Sequence, residues 1–116
     1  MAQRTDKTIG IGIIGAGGRG IRCLGRRLAE TSSETGFRIC ALSDRHAARL
    51  EESRDILRAA FLEEGVETDI SLYTDYEALL GDDRVDLVMI TTPTDLHREM
   101  ATAALRTGKR VYLDKP

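Results

Sequence analysis

The sequence predicts an α/β fold, a doubly wound parallel sheet with strand order 3-2-1-4-5. Three observations carry that expectation. Short β-branched runs alternate with longer segments of helical period along the whole chain. The run Val85 to Thr91, "VDLVMIT", is almost continuously apolar, as a strand covered on both faces must be. The glycine cluster "GAGGRG" falls between the first predicted strand and the first predicted helix. Right-handed crossovers between parallel strands then favour the doubly wound arrangement.

Each element has its own signal. Thr8 to Gly15 is Ile-rich and bounded by glycine, which predicts a strand. Gly18 to Glu30 follows as a helix, with Ile21, Leu24 and Leu28 at helical spacing. "TSSETG" is a polar loop, and Phe37 to Ser43 a second strand. Arg45 to Glu64 is a long helix whose inward stripe is Ala47, Leu50, Leu57 and Phe61, stopped by Gly65. Asp69 to Thr74 is a short third strand, and Asp75 to Leu80 a short helix. Val85 to Thr91 is the fourth strand. Asp95 to Thr107 is a helix with Leu96, Met100, Ala103 and Ala104 inward, closed by Gly108, and Arg110 to Leu113 is the fifth strand.

Composition narrows the class. The 116 residues are 41% hydrophobic and 31% charged, enough to bury the core of one domain. No apolar run is long enough to span a bilayer. The opening "MAQRTDKT" lacks the apolar stretch of a secretory signal, so a cytoplasmic protein is expected. A net charge of −2 gives no reason to invoke nucleic acid or an anionic membrane. Arg19, Arg22, Arg26 and Arg27 cluster after the glycines, where arginines on a helix form a solvated face; Arg19 differs in lying inside the turn. Cys23 and Cys40 match no metal spacing, and Cys40 reads as a small core residue.

The predicted topology collects the chemistry on one sheet edge. Gly15, Gly17 and Gly20 fit G-x-G-x-x-G, with Ala16, Gly18 and Arg19 between them. The first glycine permits a tight turn, the second lets the backbone approach a pyrophosphate, and the third lets the helix pack close to the sheet. Free N–H groups at the helix start favour an anion there. Asp44 ends the second strand, where an acid accepts hydrogen bonds from an adenosine ribose; it also suits the N-cap of the helix starting at Arg45. Asp44 repels a 2′-phosphate and favours NAD, whereas Arg45 can accommodate that phosphate and leaves NADP open. Thr91, Thr92 and Pro93 end the fourth strand on the same edge, and Thr94 can cap the helix that carries His97. A lone histidine in a first helical turn is more often structural than ligand-bound. Asp114 and Lys115 end the fifth strand, where a lysine of lowered pKa could move a proton, or could simply be exposed.

Together these residues resemble the N-terminal half of the Gfo/Idh/MocA family of NAD(P)-dependent oxidoreductases. "IGIIGAGGRG" is similar to the family's opening strand and glycine loop, and "ALSDR" to its ribose-binding strand end. The block from Tyr73 to Pro116 resembles its Tyr-x-Asp segment, Asp-x-Val-x-Ile strand, Thr-Pro turn with a His four residues later, Ala-Leu-x-x-Gly-Lys segment and Glu-Lys-Pro. The resemblance implies a Rossmann domain in which Gly15 to Gly20 bind pyrophosphate, Arg19 assists, and Asp44 binds the adenosine ribose. It implies that Thr91 to Thr94 and His97 border the nicotinamide half, and that Lys115 contacts substrate and takes part in proton transfer. Asp114 stands where the family has Glu, and Thr94 where Asn is common. The family carries a second α/β domain that completes the substrate site and often the oligomer interface. The stop at Pro116, directly after the fifth strand, is therefore expected to be a cut, leaving an incomplete nucleotide-binding domain over residues 1–116.

The implied activity is hydride transfer between nicotinamide and a sugar, cyclitol or similar polyol, in a homo-oligomer without metal, with this chain alone inactive. Two alternatives stand beside it. One is a non-catalytic dinucleotide-binding or interaction module. The other is part of a glycosidase that keeps NAD as a resident redox cofactor.

Overall fold

A computed structural model of the chain describes residues 8–15, 20–92 and 94–113, with side chains for all of these except 20–23 and 94. Five parallel strands form one sheet: β1 (Ile9–Ile14), β2 (Phe37–Ser43), β3 (Ser71–Tyr73), β4 (Leu87–Ile90) and β5 (Arg110–Leu113). Their order is β3-β2-β1-β4-β5, as the alternation predicts. The helices are α1 (Gly20–Glu30), α2 (Ser32–Thr35), α3 (Ala47–Glu63), α4 (Tyr76–Leu80) and α5 (Thr94–Arg106).

Two apolar clusters lie on the sheet's two faces. Ile11, Ile13, Ile39 and Leu42 pack with Leu28, Leu50, Leu57 and Phe61 of α1 and α3. Ile14, Ala41, Val88 and Ile90 pack with Leu79, Leu80 and Ala104 of α4 and α5. β1 and β4 contribute to both clusters, which is why their sequences are apolar on consecutive residues. The α1–α3 contact is close because residue 25 is glycine: a Cβ there would overlap the buried Leu57 side chain. Cys40 is buried, and burial pushes its thiol up to about 11, consistent with a small core residue rather than a reactive one. β3 and β5 are the edge strands, and Tyr112 and Leu113 on β5 are exposed.

Three sequence expectations are corrected. "TSSETG" is a turn of helix rather than a loop. Ser32 is buried and its hydroxyl donates to the Ala29 carbonyl at 2.8 Å, while Gly36, with φ 77°, closes the turn. The long helix starts at Ala47, two residues late, and Ala47 is exposed. The cause is Asp44, whose Oδ1 accepts from the His46 N–H at 2.9 Å in an Asx turn that holds residues 44–46 out of the helix. Asp44 is therefore not the N-cap. The inward stripe predicted for α5 holds: Ala104 is fully buried, Met100 and Ala103 pack partly buried against the same cluster, and Leu96 is partly buried.

The edge of the sheet at the strand starts is pinned by Arg84. Its guanidinium donates to the carbonyls of Asp69 (3.0 Å) and Cys40 (3.0 Å), to Ser71 Oγ (2.7 Å), and to both carboxylate oxygens of Asp82 (3.2 and 3.0 Å). Tyr73 Oη donates to Asp82 Oδ2 at 2.8 Å. Lys109 Nζ reaches the carbonyls of Asp82 (3.2 Å) and Val85 (2.7 Å). Hydrogen bonds from the Arg84 side chain hold the Asp82 carboxyl well below the usual carboxylate range. A depressed folded-state value means that Asp82 stabilises the fold fully above about pH 4, and loses that contribution as pH falls. Asp82→Asn is expected to lower stability by about 1–3 kcal/mol at neutral pH. The gap to the parent protein should narrow below about pH 4, which urea unfolding at a series of pH values will show.

Candidate nucleotide-binding cleft

A cleft of about 560 Å³ opens at the C-terminal edge of the sheet, over the ends of β1, β2, β3 and β4. Helices α1 and α3 pack on one sheet face and α4 and α5 on the other, so the chain leaves β1 and β4 in opposite directions. The opening lies at this switch point, where doubly wound sheets bind ligands.

The floor is fixed by a three-strand junction. Gly15 N–H donates to the Ser43 carbonyl at 2.8 Å, and Thr91 N–H to the Ile14 carbonyl at 2.9 Å. The Thr91 hydroxyl lies between the Ile14 and Gly15 carbonyls, at 3.0 and 2.9 Å. Gly15 has φ 90°, and a Cβ on it would stand 2.7 Å from Thr92 Cγ2 and 2.9 Å from Thr92 N. Glycine is required there twice over, by its dihedral and by the approach of β4.

Asp44, Arg45, His46 and Arg49 form one side of the cleft. Asp44 N–H pairs with the Tyr73 carbonyl at 3.2 Å, which with the Asx turn fixes its place at the end of β2. Thr74, Asp75 and Tyr76 follow β3, and Leu96, Glu99 and Met100 of α5 form the opposite side. Thr92 Oγ1 lies 3.3 Å from Met100 Sδ and holds the end of β4 against α5.

The predicted site residues divide into three groups. Gly15, Asp44, Arg45, Thr91 and Thr92 are brought together around the cleft. His97 does not line it. The residue is 8% exposed, and Nε2 lies 2.6 Å from the Thr92 carbonyl. A carbonyl only accepts, so Nε2 carries the proton and the imidazole braces the end of β4. Ala16, Gly17, Gly18, Arg19, Pro93, Asp114 and Lys115 lie outside the described residues, and Gly20 and Thr94 are described in backbone alone. The sequence reading missed Arg49, Tyr76 and Glu99. A signal was present: the predicted order puts the end of β3 on the same edge, and Arg49 falls in the first turn of the helix that follows Asp44. Among the described residues there is no acid, His or Cys cluster suited to a metal, and no helix long and apolar enough to cross a membrane.

A parallel sheet with this order, a glycine ending β1 and an acid ending β2 at the switch point defines a nucleotide-binding doubly wound domain. The chain belongs to the Gfo/Idh/MocA oxidoreductases: residues 9–116 match the family described as "Oxidoreductase family, NAD-binding Rossmann fold". It is 33% identical over its whole length to a glycosyl hydrolase family 109 protein of Solibacter usitatus, of which it covers 26%. It is 35% identical, over 94% of its length, to an inositol 2-dehydrogenase of Salmonella typhimurium, covering 29% of that protein. Among solved structures it is similar to scyllo-inositol dehydrogenase from Lactobacillus casei with bound NAD(H) and scyllo-inositol. There the TM-score is 0.68 at 28% identity, over 95% of this chain and 28% of the other. Other structural neighbours are complexes with NADP. The chain thus spans between a quarter and a third of the length of these proteins.

His97→Ala is expected to destabilise the fold by about 1–3 kcal/mol, because it empties the buried imidazole site and leaves the part-buried Thr92 carbonyl without its partner. Urea unfolding without any ligand measures this directly. An unchanged midpoint would remove the bracing role.

Proposed function

We propose that the chain is the dinucleotide-binding part of an NAD(P)-dependent oxidoreductase acting on a sugar, cyclitol or similar polyol. The observation that carries the reading is the convergence of Gly15, Asp44, Thr91 and Thr92 on one cleft at the switch point. The cleft's size falls within the range of small-molecule sites. Family membership and the dehydrogenase names among the relatives support the reaction class.

The residues present suit the adenosine half of the cofactor. In this reading the Asp44 carboxylate accepts from the ribose hydroxyls, and its Asx turn sets it in place beforehand. The same negative charge disfavours a 2′-phosphate and makes NAD the expected cofactor. Arg45 and Arg49 line the same side and pull toward NADP. The bound dinucleotide supplies the hydride acceptor or donor, which no side chain can do. Lys115 assists the proton on the substrate oxygen, and Asp114, Pro93 and Thr94 border the nicotinamide half. A half-site cannot align a substrate C–H or exclude water, so the chain alone binds cofactor without turnover. The intact protein is expected to be a homo-oligomer with a polyol-like substrate.

A second reading, a glycosidase holding NAD as a resident redox cofactor, is favoured by the similarity to the family 109 protein. Glycoside turnover by the intact protein with no net NADH would decide for it.

Titration calorimetry tests the cofactor site. Asp44→Ala is expected to weaken NAD binding about tenfold or more, the cost of losing hydrogen bonds to a charged group. NADP should be weakened far less or gain affinity. Equal losses for both would remove the ribose role from Asp44.

A further inference from the structure

At its β3 end the cleft carries two side chains to which the reading above gives no role. Tyr76 opens α4, and Glu99 stands in the second turn of α5. Tyr76 Oη donates to Glu99 Oε2 at 3.2 Å, across 23 positions of sequence, and both residues line the cleft. The backbone from which Tyr76 projects is itself fixed. Asp75 caps α4, its Oδ1 accepting from the Glu77 N–H at 3.0 Å. Burial and the Glu99 carboxylate push the Tyr76 phenol up, so it is a neutral donor around pH 7.

The surroundings of this ring suit a flat, uncharged, nitrogen-rich partner. Leu96 and Met100 give an apolar wall on α5, and Arg49 gives a guanidinium on the α3 side. Three carboxylates, Asp44, Asp75 and Glu99, offset the Arg45 and Arg49 charges, so this end carries no excess of positive charge. An aromatic face, an aliphatic wall and an arginine plane are the surfaces on which purine bases stack.

We infer that the Tyr76–Glu99 pair is a strap across the adenosine end of the cleft that holds the Tyr76 ring as the stacking face for adenine. The inference rests on the dinucleotide-binding reading. Tyr76 touches the base. Glu99 is a positioning residue that acts through Tyr76, by fixing the phenol before the ligand arrives and so removing an ordering cost from binding.

Calorimetry with AMP and with NAD, combined with proton NMR of the adenine, tests this on the parent protein and four variants. Tyr76→Ala should weaken AMP and NAD by the same factor, about tenfold. At saturation it should lose the upfield shift of adenine H2 and H8 that a stacked ring produces. Tyr76→Phe keeps the ring and should keep that shift, while weakening AMP about threefold. Glu99→Ala should match Tyr76→Phe, and the double variant Tyr76→Phe/Glu99→Ala should be no weaker than either single one. Thermal midpoints without ligand check that each variant is folded, and Tyr76→Phe still tests the strap if Tyr76→Ala is not. The inference falls if Tyr76→Ala binds AMP like the parent or keeps the upfield shift. It also falls if the effects of Tyr76→Phe and Glu99→Ala multiply in the double variant. If the parent binds neither AMP nor NAD, the dinucleotide reading itself fails, a result visible before any substitution is made.

Discussion

The seating of the end of β1 against the end of β4 is the constraint from which the rest of the site follows. Parallel neighbours cannot be joined by a tight turn, so each strand needs a crossover. β1 sends its chain to the α1–α3 face, and β4 sends its chain to the α4–α5 face. A crevice must open between two such exits. Its depth depends on how closely the exits approach, and here the approach is tight enough that a single methyl group on Gly15 would strike the backbone of Thr92. The Thr91 hydroxyl, set between two carbonyls of β1, helps to hold the junction together. Its location beside the cleft and its structural bonds are consequences of the same packing.

The two ends of the sheet are stabilised in different ways. At the strand starts, one guanidinium collects carbonyls, a hydroxyl and a carboxylate from β2, from β3 and the segment before it, and from the segment before β4. That network spends its polar groups on one another. At the strand ends, polar groups are instead held by short local bonds. Asp44 is fixed by His46 and the backbone of Tyr73, and Asp75 by Glu77. Local bonds of this kind set the direction of a carboxylate while leaving it acceptor capacity, since each oxygen carries two lone pairs. A rigid lower edge and an upper edge of acids oriented by local bonds are what a binding cleft needs from a scaffold.

Much of this arrangement was legible in the residues, and the failures have particular causes. The strand order followed from the alternation and crossover handedness, and β5 was placed over its observed residues. Asp44 was correctly put at the end of β2, but its competing role was misjudged. The side chain bonds two residues ahead, and that turn delays α3 to Ala47. "TSSETG" looked like a loop because Ser and Thr are common in loops; the buried Ser32 hydroxyl, returned to the Ala29 carbonyl, makes a helical turn of it instead. Tyr76 and Glu99 could not be paired from the sequence, because their contact depends on how α4 and α5 lie side by side. No periodicity records that relation.

Helix α5 ties these features together. Near its N-terminus, His97 holds the Thr92 carbonyl, and one turn later Met100 meets the Thr92 hydroxyl. Between them Glu99 reaches Tyr76, and further along Ala104 anchors the helix in the core. The end of β4 and the strap at α4 are therefore both set by the rotation of one helix. His97, which does not line the cleft, can change it without touching what it holds, through the strand end that it positions. A loss of binding in a His97 variant is consequently not evidence of a ligand contact. The two roles separate only when ligand-free stability is measured beside affinity: bracing costs stability in the absence of cofactor, whereas a contact to nicotinamide costs none.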